Sequence, residues 1–244
     1  MLAKAISRGK LACPLPVPMS YASLIVALAD QPTTRNLDGR ELIHATAAIQ
    51  GSQPVDIALQ AIPGTASGDA LLTKQQGALL IASGEVCLID DGNTPLITAG
   101  VICDAHPDQY LNEVVVVGHV GGEARMASSG KSASRSVATN RYRRRAGATD
   151  PIEETDWYRI RGFGFNLEKL ERINTGALVQ VTGSFSQMTS AKGDPYCEIR
   201  ARAIRVHRNK GGGSNPAAGT TAAGYDQESY MGSADDIGTT TDWN

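Results

Sequence analysis

The chain has 244 residues, 41% of them hydrophobic, and a formal net charge of −2, which allows one or two domains with apolar cores. No apolar run approaches the ~18 residues of a membrane-spanning helix, so no such span is expected. The four cysteines, Cys13, Cys87, Cys103 and Cys197, form no Cys-x-x-Cys pair. Cys103 and His106 have the only metal-like spacing and lack a second pair, so no metal and no cofactor is expected and the thiols are read as buried and reduced.

The small net charge conceals three parts. Residues 1–111 carry 6 Lys+Arg against 10 Asp+Glu, residues 112–208 carry 16 against 10, and residues 209–244 carry 1 against 5. A basic middle between acidic flanks is the pattern of a segment that meets a polyanion. Seven of the twelve aromatics share that middle.

Residues 1–19 hold Lys4, Arg8, Lys10 and three prolines without an acid. They read as a disordered leader, transit-like or lying upstream of a start at Met19, and lack a secretory apolar centre. Residues 21–29 are apolar and β-compatible, a first strand, and residues 32–39 are turn-rich. Residues 41–49 form a second strand, with His44 packed or solvated rather than a ligand. After a turn at 51–54, residues 55–62 alternate as a third strand. A short helix is predicted near 68–76, then a buried strand from Gly77 to Ile89 that opens GALLIASG. Asp91-Gly92 centres a hairpin turn over residues 90–93, and residues 96–103 are a fifth strand.

The same order recurs downstream. Residues 112–120 (NEVVVVGHV) and 131–142 read as strands, a charged loop covers 143–154, and residues 156–163 are a third strand. A helix at 166–173 follows, then GALVQVTG at 176–183, which matches GALLIASG at an offset of 99 residues. A turn at 192–194 and a strand at 196–206 complete the unit. Two units of five strands, each with a helix between strands three and four, predict an all-β chain of two tandem OB-fold barrels over residues 20–110 and 111–208. The glycines bracketing each fourth strand mark tight bends in the barrel wall.

The second unit's third strand, DWYRIRGFG over 156–164, sets Trp157, Arg159, Arg161 and Phe163 on one face by period-2 alternation. Two flat π-surfaces beside two guanidinium groups suit a groove for single-stranded nucleic acid, where aromatics stack bases and arginines neutralise phosphates. The competing reading is a half-buried strand with core aromatics and snorkelling arginines. Arg141, Tyr142, Arg143, Arg144 and Arg145 open the long loop and read as a clamp on a phosphate backbone. The first unit has Asp56 to Ile62 where the second has Trp157 to Phe163, with neither aromatic nor cation. It is a degenerate copy suited to packing, dimerisation or a protein contact, with Arg35 and Arg40 the only means of extending a nucleic-acid path. Ser129-Gly130-Lys131-Ser132 resembles the end of a phosphate loop, but the first glycine of G-x-x-x-x-G-K-S/T would fall at Arg125, and strands lie on both sides. No catalytic triad or paired carboxylates stand out, and an enzyme is not expected.

The second unit resembles the bacterial single-stranded DNA-binding protein family. Asn112-Glu113-Val114 with Val117-Gly118 is similar to its N-x-V-x-L-V-G first strand, and Val137-Ala138-Thr139-Asn140 to its second. Trp157-Tyr158-Arg159-Ile160 with Phe163-Gly164 resembles its W-x-R-V-x-x-F-G element, and residues 176–183 its K-G-x-x-V-x-V-x-G element. The resemblance implies base stacking by Trp157 and Phe163, with Tyr142 near a further aromatic of the family's second strand. It also implies single-stranded DNA as partner, in replication, repair or recombination, and a homo-oligomer, a dimer of tandem barrels or a tetramer. Met188 stands where the family often has another aromatic. Residues 209–244, rich in Gly, Ala, Ser and Thr, read as a disordered acidic tail. That tail lacks the family's acidic-Pro-Phe ending, having Asp235-Asp236-Ile237 and a last Asp242-Trp243-Asn244, yet could hold replication or repair proteins. A cytoplasmic, nucleoid-associated location is expected, or a plastid if the leader is a transit segment. The alternatives are a two-barrel protein-interaction scaffold and a single-stranded RNA binder.

Overall fold

The computed structural model describes residues 20–208 apart from 38, 52, 90–92, 144–151 and 191. The expected leader and tail lie outside the described residues, as do Asp91-Gly92 of the expected hairpin turn and residues 144–151 of the expected charged loop. The first unit runs β1 (Ser20–Leu28), β2 (Thr33–Leu37), β3 (Arg40–Ile49), β4 (Val55–Ala61), α1 (Ala66–Leu72), β5 (Leu79–Ile89) and β6 (Thr94–Asp104). The second runs β7 (Asn112–Met126), β8 (Ser132–Arg143), β9 (Ile152–Phe163), α2 (Phe165–Arg172), β10 (Leu178–Thr189) and β11 (Pro195–Arg208).

Each unit closes into a five-stranded ring. In the first, β1 pairs with β3 and β5, β3 with β4, β5 with β6, and the parallel pair β4–β6 completes the circuit. The second repeats it with β7, β8, β9, β11 and β10, again with one parallel pair, β9–β11. This is the OB topology, and closure leaves no open edge among those five strands. Inward-facing Leu24, Leu59, Leu80 and Ile97 fill one barrel, and Val116, Ile160, Val181 and Ile199 the other. Leu71 of α1 and Leu170 of α2 are buried and plug equivalent ends.

The paired glycines of the fourth strands have distinct reasons. Gly77 and Gly176 have positive φ, 83° and 81°, and turn the chain out of the helix into the strand. At Gly84 and Gly183 an added Cβ would lie 2.0 Å from the Thr98 carbonyl oxygen and 2.2 Å from that of Arg200. The ladder shifts register beside both, so the wall bends where the facing backbone comes too close for a side chain.

Several boundaries differ from the sequence reading; β9 starts at Ile152, inside the expected loop of 143–154, and β10 runs on to Thr189. The turn-rich 32–39 contains β2, which pairs with β3 from Thr33↔His44 to Leu37↔Arg40. All five of its residues are exposed, so no burial alternation marks it; pairing alone makes it a strand. The first helix begins earlier, because Thr65 caps its N-terminus, accepting from the Gly68 amide at 3.2 Å, and it stops at Leu72 with Thr73 as its C-cap. Strand β7 continues six residues past Val120, beyond a bulge between Gly121 and Arg125.

The barrels join through their first strands. β1 and β7 pair antiparallel from Ser20↔Val116 to Leu24↔Asn112, on the halves that their own barrels leave free. A second seam ties β9 to β5. The buried Tyr158 hydroxyl donates to the Val86 carbonyl at 2.9 Å, and Asp156 accepts from the Leu88 amide at 3.3 Å.

Candidate nucleic-acid interface

Strand β9 alternates as its sequence requires. Asp156, Tyr158, Ile160 and Gly162 are buried, while Trp157, Arg159 and Phe163 are exposed. Trp157 is 55% exposed and Phe163 45%, values that rule out core positions for either ring. The indole lies against Gly121: a Cβ there would come within 2.5 Å of Trp157 Cζ3. The outer edge of the indole therefore abuts bare backbone, and more than half of the residue is open to solvent.

That backbone is itself held. The Gly122 carbonyl, in the bulge, accepts from Arg135 Nη2 at 2.6 Å, Arg135 Nε at 3.1 Å and Thr175 Oγ1 at 2.6 Å. Arg135 is 6% exposed and also donates to the Leu170 carbonyl at 2.7 Å and to that of Ile173. These carbonyls end α2, where a cation is favoured by the helix dipole. A buried guanidinium thus ties the bulge beneath Trp157 to the end of α2.

The predicted arginines divide by what they touch. Arg159 lies over the Tyr196 ring, 4.1 Å from its centroid. Arg161 donates through Nε to both oxygens of Glu198, at 2.7 and 2.8 Å, and through Nη1 to Ser132 Oγ at 3.2 Å. Glu198 is 1% exposed, so this pair is largely desolvated and Arg161 is committed to it. Arg141 pairs with Glu154 at 2.8 Å and Asp156 at 3.1 Å. It braces the β9–β5 seam. Arg143 ends β8; Arg144 and Arg145 lie outside the described residues.

Tyr142 is exposed, but not beside Trp157. Ala138 is the β8 residue paired with Trp157, and Tyr142 lies four residues farther along, opposite Glu153. There it lines a groove of about 770 Å³ together with Leu37, Ile62 and Leu96 of the first barrel. In that barrel Leu59 pairs with Ile97 as Ile160 pairs with Ile199 in the second. The register sets Asp56 in the place of Trp157 and Ile62 in that of Phe163.

Four participants escaped the sequence reading. Tyr196 stands directly opposite Met188 in the β10–β11 ladder, so the aromatic missing from one strand of the hairpin is present on the other. Arg200 lies 5.9 Å from the Phe163 ring centroid. Leu88 and Asn93 of the first barrel line a groove of about 430 Å³ with Trp157, Arg159 and Tyr196. A Pro-Tyr start to the last strand was the only sequence signal for any of them.

Burial pushes two thiols up, Cys87 to about 11 and Cys197 to about 12. Cys103, read as buried, is exposed on β6 because its side chain points away from the barrel. Burial also raises Asp156, with Arg141 and the Leu88 amide acting against the rise.

Residues 111–206 match the sequence model described as the single-strand binding protein family. No curated protein matches the chain in sequence. Among solved structures, the wild-type single-stranded DNA binding protein from Thermus aquaticus superposes with a TM-score of 0.56 at 15% identity, covering 84% of this chain and 96% of that one. A deletion mutant of the same Thermus aquaticus protein gives 0.53 at 14% identity, covering 82% and 98%. At such identities the likeness concerns the fold, and it spans both barrels.

Proposed function

We propose, from a second barrel that matches the single-strand binding protein family, that this protein binds single-stranded DNA without catalysis. It coats strands exposed in replication, repair or recombination. One observation carries the reading: Trp157 is 55% exposed and Phe163 45%, on one face of β9, with the Arg159–Tyr196 pair between them along the strand and the indole edge set against bare backbone at Gly121. An unpaired base stacked there covers apolar surface that water now wets. Arg159, over the Tyr196 ring, and Arg200, 5.9 Å from the Phe163 ring centroid, are cations placed to meet phosphates beside the rings. The first barrel, with Asp56 and Ile62 at the two ring positions, does not stack bases and serves as support. The functional unit is a dimer of such chains.

The test isolates one indole. With Trp243→Phe, Trp157 is the sole tryptophan, and titration with oligo-dT should quench its fluorescence with a salt-dependent Kd. Trp157→Ala should cost ~1–3 kcal/mol in affinity. Unchanged fluorescence would favour a protein-interaction scaffold instead. Tighter binding of oligo-rU than of oligo-dT would turn the reading to RNA.

A further inference from the structure

We propose that the first barrel completes the nucleotide seat, through Leu88 near the end of β5 and Asn93 just before β6. This rests on the reading of Trp157 as a stacking surface. The groove of about 430 Å³ beside Trp157 has two walls from different barrels. Ser136, Thr155, Arg159 and Tyr196 form one; Leu88 and Asn93 form the other. The ligand is one nucleotide of a single strand: its base lies on the indole, with an edge toward the Leu88 side chain and the Asn93 amide.

The second wall is fixed in place by the strand that bears the indole. Successive residues of β9 point to opposite faces. Asp156 and Tyr158 are buried and fasten the Leu88 amide and the Val86 carbonyl, while Trp157 between them faces the groove. Arg141 holds Asp156 from behind at 3.1 Å. At its far end the hairpin is closed by the Asn93 amide, which donates to the Ile89 carbonyl at 3.1 Å. Any base seated on Trp157 therefore meets a surface of the first barrel whose position is set within one peptide unit of the ring. Asn93 offers both a donor and an acceptor, so such a wall accepts every base and suits a binder without sequence preference. A barrel that has lost its own stacking face is retained here as half of its neighbour's.

The test uses the full chain. Oligo-dT carrying a single 4-thiothymidine is photocrosslinked and the adducts mapped by mass spectrometry; adducts are expected at Leu88 or Asn93 as well as in the second barrel. Asn93→Lys should tighten oligo-dT binding ~2–5-fold and steepen the salt slope by about one ion, and Asn93→Glu should weaken binding to a similar extent. Asn93 is exposed in a turn, and far-ultraviolet circular dichroism checks that both variants fold. Adducts confined to the second barrel, with Kd unchanged in both variants while Trp157→Ala still weakens binding, would overturn the shared seat alone. Normal binding by Trp157→Ala would overturn the underlying reading as well.

Discussion

Trp157 owes its orientation to a residue with no side chain. The indole edge occupies space that a methyl group at Gly121 would claim, with Cζ3 only 2.5 Å from where that carbon would lie. Gly121→Ala should therefore displace the ring while leaving the strand paired, since alanine is tolerated in extended backbone. Oligo-dT affinity should drop ~3–10-fold, part of the 1–3 kcal/mol a stacked ring supplies, while the melting temperature moves by only a few degrees. Fluorescence titration beside a thermal melt checks this; unaltered affinity would mean that the ring's seat is irrelevant to binding. The arginines carry a second lesson at this scale. Arg159 and Arg161 look alike in sequence, yet one stacks on Tyr196 and the other is bound to Glu198, a carboxylate 37 residues away.

Strand β9 performs two tasks because its period is two. Its outer residues make the candidate binding face, and its inner residues, Tyr158 and Asp156, grip β5 of the other barrel. Asp156 makes this element sensitive to pH in an unusual direction. Burial raises its carboxyl above the ordinary 3.8 despite Arg141. A carboxyl that holds its proton more tightly when folded adds stability below its unfolded value, and that contribution is lost as pH rises through its folded value. Asp156→Asn keeps an oxygen to accept from the Leu88 amide but carries no charge. Its stability relative to the parent should accordingly improve as pH is raised from about 4 to 7, as measured by urea unfolding at each pH. A relative stability that falls over that interval would show the Arg141 pairing to be the dominant influence.

The two barrels share a β1–β7 pairing and the β9–β5 seam, which argues for one cooperative unit. Cys87 lies in the seam and Cys197 in the wall of the second barrel, and burial suppresses the thiolate of each, with values of about 11 and 12. In a chain with Cys13→Ser and Cys103→Ser, neither thiol should react with an aromatic disulfide reagent at pH 8 within minutes. Both should become reactive at one common urea midpoint. Separate midpoints would show the barrels opening independently, with the seam too weak to couple them.

The sequence by itself determined what is local and periodic: the order of strands and helices, the duplication at an offset of 99, and the alternation that exposes Trp157 and Phe163. Those follow from side-chain period and from glycines where no Cβ fits, and both are written into neighbouring residues. Strand β2 was hidden because five exposed residues leave no burial pattern. The fates of Arg141, Arg161 and Tyr142 were hidden for a different reason. Whether a guanidinium meets a carboxylate or solvent depends on which strands lie side by side and in what register. Only the tertiary structure decided that Glu198 neutralises Arg161, that Tyr142 overlooks the first barrel, and that a groove beside Trp157 is walled by both barrels, because each is a contact between elements far apart along the chain.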